Sequence, residues 1–235
     1  MVVSEKKVVV VIPARMDSRR LPGKGLIQIN GNPTLYYLVA RLRQIKEIDD
    51  VVIATTGRYC DRPLIQWAKL NKISYYTGSL KDILSRFYGA ALKYDADIVI
   101  KANGDCPLLS PEVVTMGLNE MVSMGYEFLT GKNQYTGLPV GIGAEIITLP
   151  ALARLNKLAK THYHRDSITT YIFDNSDEFK WSPIKIVPAW KAPQMSFTLD
   201  TKEDLSKIKA IIEYLDGGNP GEWKIEKIIE AYKEV

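Results

Sequence analysis

The chain predicts an α/β fold, a three-layer α/β/α sandwich around a mostly parallel mixed sheet. Three observations carry that reading. Short β-branched runs alternate with helical apolar spacing through the first 105 residues. Those runs are continuously apolar, as in strands buried on both faces, rather than alternating. At 235 residues the chain suits one core.

The first strand is 8–12, VVVVI, stopped by Pro13. Asn32 then Pro33 reads as a helix start with proline at the first helical position, and Leu35, Leu38, Val39, Leu42 and Ile45 follow at helical spacing. A strand over 50–55 leads to a helix through Leu64, Ile65, Ala68 and Leu70. A short strand at 73–77 precedes a helix carrying Ile83, Phe87, Ala90, Ala91 and Leu92, and 97–101 is the next buried strand. Parallel strands joined this way put their carboxyl ends on one edge, where ligands bind in open α/β sheets.

After residue 105 the rhythm changes. A helix is expected over 111–124, a strand over 126–130, a glycine-rich loop over 131–143, an antiparallel strand over 146–149 and helices over 150–159 and 168–173. Strands are expected at 184–187 and 196–199. Thr201 and Asp204 form a capping-box pattern ahead of Leu205, Ile208, Ile212 and Leu215, a helix ended by Gly217-Gly218. A last amphipathic helix covers 222–232. With no internal repeat and no convincing linker, residues 1–235 read as a single domain.

Composition removes several classes. Hydrophobic residues at 46% and charged residues at 25% exclude wholesale disorder, collagen and coiled coil. The longest aliphatic run is far short of the roughly 20 residues of a membrane helix, and Pro13 with Arg15 ends it too early for a signal peptide. A cytoplasmic protein without a membrane partner is expected. A net charge of +4 is too mild to argue for nucleic acid. Cys60 and Cys106 cannot build a disulfide framework, and the only histidines are His162 and His164. Cys106 reads as a packed thiol and the histidines as surface helix-start residues, unless they serve the site.

The most informative stretch is 13–25, PARMDSRRLPGKG. It follows the first strand directly and holds Arg15, Arg19, Arg20 and Lys24. Four cations and free backbone N–H groups at a strand's carboxyl end suit an oligophosphate. Neither a Walker loop nor G-x-G-x-x-G is present. Asp105 and Asp200 each lie just beyond an expected strand. Without a His or Cys cluster, such a pair favours a hard cation such as Mg²⁺ held together with substrate phosphates, or the two serve as a turn residue and a helix cap.

PARMDSRRLPGKGL resembles the opening signature of the cytidylyltransferases, the family of the CMP-Kdo and CMP-sialate synthetases, and is most similar to its spore-coat-polysaccharide branch. Gly78-Ser-Leu-Lys-Asp-Ile-Leu-Ser-Arg86, Asn103-Gly-Asp-Cys-Pro107, the 137–145 passage and Thr198-Leu-Asp-Thr-Lys-Glu-Asp204 extend the resemblance in family order over about residues 8–210. It implies a nucleotide-diphospho-sugar-transferase-like fold with a nucleotide half over about 1–110, an acceptor-side half over about 111–200 and C-terminal helices over 201–235. It implies transfer of CMP from CTP to an acidic sugar or a small phosphorylated metabolite, with loss of pyrophosphate. By the same resemblance Arg15, Arg20 and Lys24 hold the triphosphate, and Asp105 and Asp200 hold Mg²⁺. Ala14, Arg15, Gly78, Ser79 and Asn103 line the nucleoside pocket, and Arg15, Lys24 and Asp105 carry catalysis. Glu145, His164 and Arg165 are the candidates for the acceptor, and a homodimer is expected. Lys101 and Asn103 replace the Arg and Thr common in the branch, and Asp166-Ser167 replaces Glu-His. A sugar-1-phosphate nucleotidyltransferase using another base, or a silent nucleotide-binding subunit, are the alternative readings.

Overall fold

A computed structural model describes residues 5–215 and 218–235. Strand β1 (Val8–Pro13) is an interior strand of a seven-stranded sheet. A hairpin of β2 (Gln28–Ile29) and β3 (Asn32–Pro33) precedes helix α1 (Thr34–Leu42). Then come β4 (Asp50–Thr56), α2 (Arg62–Leu70), β5 (Ser74–Gly78), α3 (Ile83–Lys93) and β6 (Ile98–Lys101). The remainder is α4 (Pro111–Met124), β7 (Phe128–Thr130), α5 (Asn133–Thr136), β8 (Glu145–Thr148), α6 (Leu149–Leu158), α7 (His162–Ser167), α8 (Thr170–Asp174), β9 (Trp181–Pro183), α9 (Lys202–Tyr214) and α10 (Ile225–Glu234).

The sheet order is β5-β4-β1-β6-β8-β7-β9. β5, β4, β1 and β6 run parallel, β8 is antiparallel to both its neighbours, and β9 is parallel to β7. The α/β fold class read from the sequence therefore holds. The continuous valine run explains the layering, because successive side chains of a strand point to opposite faces. Val8, Val10 and Ile12 pack with Leu38, Leu64, Val114, Ile208 and Ile228 on one side. Val9 and Val11 pack with Leu84, Phe87, Ala151 and Leu152 on the other. Among the described residues no helix is long and apolar enough to cross a membrane.

Several expected elements shift, each for a local reason. Asn32-Pro33 does not start the helix. Asn30 and Gly31 both take positive φ, 48° and 77°, which is the twist of a two-residue hairpin, so Asn32 and Pro33 pair with β2 and the helix begins at Thr34. The expected strand at 184–187 is replaced by β9 three residues earlier. Residues 196–199 form no strand: an isolated bridge joins Val140 to Ser196, and the segment is held instead by Phe197 N–H to Val140 and Leu199 N–H to Asp105 (both 2.8 Å). The helix expected over 168–173 is α8, which begins only at Thr170 because Ile168 takes φ +65°, and a separate helix, α7, precedes it. The final helix begins at Ile225 rather than 222. The expected stop at Gly217-Gly218 falls partly outside the described residues.

Candidate active site

The carboxyl ends of β1 and β6 open onto a cleft of about 730 Å³. Its first wall is the basic loop. Ala14 N–H bonds the carbonyl of Ala54 (3.1 Å), and the loop closes on itself through Gly23 N–H to the Met16 carbonyl (2.8 Å), with Gly23 at φ 70°. Behind it, the buried Asp61 accepts the N–H of Met16 (2.8 Å), the Thr56 hydroxyl and the Arg58 guanidinium (2.9 Å). Arg58 in turn reaches Asp17 (2.7 Å). Residues far from the loop in sequence thus fix its shape, and that signal is invisible in the basic motif itself.

The second wall carries the carboxylates. Gly104 lies so close to the first strand that a Cβ there would stand 3.1 Å from the Pro13 carbonyl, so glycine lets the Asp105 turn lie directly against the basic loop. The bond from Leu199 N–H to the Asp105 carbonyl (2.8 Å) then stitches the Asp200 segment to the Asp105 turn. The two carboxylates, 95 positions apart in sequence, meet on one ammonium: Lys24 Nζ donates to Asp105 Oδ2 (2.6 Å) and to Asp200 Oδ1 (2.9 Å), and Arg20 reaches Asp200 Oδ2 (3.0 Å). Burial alone would lower the Lys24 pKa, but Asp105 and Asp200 outweigh it and hold it raised, so Lys24 stays charged.

Asp200 is not the cap of α9. Thr201 and Asp204 satisfy that helix start reciprocally, with Asp204 also accepting the Asp200 N–H (3.0 Å), and this leaves the Asp200 carboxylate to the cleft. The donor set fits Mg²⁺. Two hard oxygen ligands face one point already taken by a cation, and among the described residues no group of three or more His, Cys, Asp or Glu side chains could form a metal cage. Magnesium is commonly held this way, by one or two carboxylates with phosphates and water completing the shell.

Arg15, Arg20, Lys24, Ala14, Asn103, Asp105 and Asp200 all line the cleft. Gly78 and Ser79 do not; Ser79 serves the turn into α3, accepting Asp82 N–H (3.1 Å) and, through its carbonyl, Arg86 (2.5 Å). Leu80 and Lys81 stand in the wall instead. The sequence reading missed Arg86 as a site residue. Only 2% exposed, it lines the cleft beside Arg15 with its Nε unpartnered, and burial followed by Arg15 pulls its pKa down to about 10. Its place at the end of the 78–86 motif, on the apolar face of α3, was the available signal. The cleft counts six cationic side chains against four carboxylates, a surplus suited to a polyanion.

The three acceptor candidates lie outside this cleft. Glu145 is buried and accepts Lys101 (2.7 Å) and Thr169 (2.9 Å). Burial pushes its pKa up, but Lys101 and Lys132 overcome that and hold it below the usual carboxylate range. His164 bonds Thr161 and Asp174 (both 2.9 Å), and His162 lines the cleft in its place. Arg165 is spent on Asp82 (2.7 Å), on Asn156 and on the Ala159 carbonyl (2.8 Å), tying α7 to α3 and α6. Cys106 is buried, and burial with Asp105 beside it pushes its thiol well up, so it remains a packed thiol.

Comparison with known proteins adds four findings. The sequence profile described as Cytidylyltransferase matches residues 9–228. The spore coat polysaccharide biosynthesis protein SpsF of Bacillus subtilis is 29% identical over 86% of this chain and 85% of its own. Among solved structures, a cytidylyltransferase from Leptospira borgpetersenii superposes with a TM-score of 0.90 at 31% identity, covering 97% of this chain and 94% of the other. A CMP:2-keto-3-deoxy-manno-octonic acid synthetase solved with CTP superposes at 0.65 and 19% identity, over 87% and 98%, a likeness of fold.

Proposed function

The chain belongs to the cytidylyltransferase family, and from that premise we propose that it transfers CMP from CTP to a small acidic sugar or phosphorylated acceptor and releases pyrophosphate. The observation that carries this reading is the meeting of Asp105 and Asp200 on Lys24 at the rim of a cation-rich cleft. The likeness to SpsF supports an acceptor destined for a surface polysaccharide.

An acceptor oxygen attacks the α-phosphorus, a new P–O bond forms, and the bond to the bridging oxygen breaks with its electron pair leaving on pyrophosphate. A phosphate-type acceptor enters as an anion and needs no strong base, whereas a hydroxyl must lose its proton. Lys24 and Arg15 neutralise charge on the phosphoryl oxygens and hold the chain of phosphates in line. The guanidinium of Arg86, buried beside Arg15, adds positive charge to the same wall. Asp105 and Asp200 would hold Mg²⁺, which when bound supplies charge neutralisation on the triphosphate. Closure of the loop by Gly23 and its anchorage to Asp61 keep the cations in register before substrate arrives.

Pyrophosphate release measured with Mg²⁺, each of the four common nucleoside triphosphates and a panel of sugar acids and phosphorylated acceptors tests the proposal. Release that requires both CTP and an acceptor is expected. Turnover with another nucleotide in preference to CTP, or tight CTP binding with silence across the panel, would overturn it.

A further inference from the structure

Helix α1 is tied to both walls of the cleft. At its first turn the Thr34 hydroxyl donates to the Lys24 carbonyl, and the Thr34 N–H to the Ile27 carbonyl (3.0 Å). A Cβ at Gly25 would stand 3.0 Å from Leu35 Cδ1, so the backbone that carries Lys24 lies directly on the helix. The Thr34 hydroxyl does not serve the helix itself. Pro33 holds the cap position and makes no side-chain cap, and the buried Thr34 gives its donor to the loop instead.

Two turns further on, Arg41 is fully buried. Its Nε donates to the Leu109 carbonyl (2.7 Å) and its Nη1 to the carbonyls of Pro220 (2.7 Å) and Trp223 (3.0 Å). Its Nη2 has no partner among the described residues. Leu109 closes the turn that carries Asp105: Leu109 N–H bonds the Cys106 carbonyl (3.2 Å), and Cys106 N–H bonds that of Asn103 (3.0 Å). Burial lowers the Arg41 pKa to about 10, with Glu112 opposing, so the side chain is charged at neutral pH. A buried cation whose hydrogen bonds all go to neutral carbonyls is costly, and a leucine would fill the place as Leu35, Leu38 and Leu42 do beside it. The planar fork does what a leucine cannot, and holds carbonyls from two distant segments at once.

Thr34 and Arg41 stand about 10 Å apart along the axis of a helix that contains neither proline nor glycine. Beyond these two grips, Lys24 Nζ and Asp105 Oδ2 meet at 2.6 Å. We infer that α1 is the gauge that sets this ammonium against this carboxylate, with Thr34 and Arg41 as positioning residues for the transfer of CMP. Thr34 places Lys24; Arg41 places the Asp105 turn and ties it to the 220–223 segment. Neither side chain lines the cleft, so each acts through the residue it places. The inference rests on the nucleotide-transfer reading above.

Calorimetric titration with CTP in the presence of Mg²⁺ tests this through two double-mutant cycles. Thr34→Val keeps the shape and loses the hydroxyl, so CTP affinity should fall about tenfold, and Thr34→Ser should restore it. Lys24→Gln leaves Arg15 and Arg20 to the phosphates and keeps a weaker binding measurable; in that background Thr34→Val should have almost no further effect. Arg41→Lys keeps the charge and loses the fork, and should likewise cost about tenfold alone and little in Asp105→Asn. A merely structural loss would lower the thermal midpoint and weaken binding equally in both backgrounds. Wild-type affinity in Thr34→Val, or the same loss with and without the Lys24 ammonium, would overturn the inference while leaving nucleotide binding intact. The Thr34 cycle decides the matter even where Arg41→Lys does not fold. Failure of the wild-type protein to bind CTP at all would instead overturn the nucleotide reading, and this inference with it.

Discussion

The parallel half of the sheet, β5-β4-β1-β6, and the mixed half, β8-β7-β9, build their sites by opposite means. In the parallel half, charged side chains sit on loops at strand ends and reach into an open cleft, where their nearest partners are one another. In the mixed half, charged side chains are consumed by the architecture: Glu145 by Lys101 and Thr169, Arg165 by Asp82 and Asn156, Arg154 by Glu127 (2.9 Å). A charged residue of the mixed half is thus first a support.

That contrast can be broken by mutation, and the largest effect belongs to the cleft. Asp105→Asn should lower CTP-dependent pyrophosphate release on the order of 10³-fold, with the thermal midpoint close to wild type because Asp105 is part-exposed and tied by its backbone. Full activity would remove Asp105 from the site. Glu145→Gln should behave in the opposite way and destabilise the fold by roughly 3 kcal/mol, since it strands two partly buried ammonium groups. This loss carries a pH signature. Glu145 has a depressed pKa when folded, so its contribution is present above the ordinary carboxylate range and is lost as pH falls through the folded value. The stability gap between wild type and Glu145→Gln, followed by urea unfolding, should therefore be widest near neutrality and close in acid. A gap that widens in acid would contradict the ion-pair account.

Asp61→Asn sharpens the comparison within the parallel half. It removes the charge that holds Met16 and Arg58 without touching the cleft wall, so the apparent KM for CTP should rise by about tenfold, with a smaller change in kcat. An unchanged KM would show that the loop holds its shape without this anchor. The smallest effect is expected for His164→Gln, whose partners Thr161 and Asp174 lie away from the cleft: activity within about twofold and stability within ~0.5 kcal/mol.

The same contrast explains what was legible in the sequence. The valine run of β1, the capping box of α9 and the cluster Arg15-Arg20-Lys24 are local patterns with local consequences, and each stands where its pattern says. Asp105 and Asp200 were legible as strand-end carboxylates, although the second follows no strand; the bond from Leu199 to Asp105 performs the placement. The Asn30-Gly31 hairpin was legible in principle and was masked by the stronger helix-start signal of Asn32-Pro33. The roles of Arg165 and Glu145 were not legible, because Asp82 and Lys101 lie 83 and 44 positions away and no local pattern announces such a pairing. Arg86 stood inside a recognised motif, yet only its burial beside Arg15 gives it a part in the cleft.

Anomalous diffraction from crystals of the protein grown with CTP and Mn²⁺ in place of Mg²⁺ addresses the shared rim directly. A metal peak within ligand distance of both Asp105 and Asp200, with triphosphate density running along Arg15, Arg20 and Lys24, is the predicted result. A peak remote from both carboxylates, or a triphosphate bound away from the basic loop, would contradict the account.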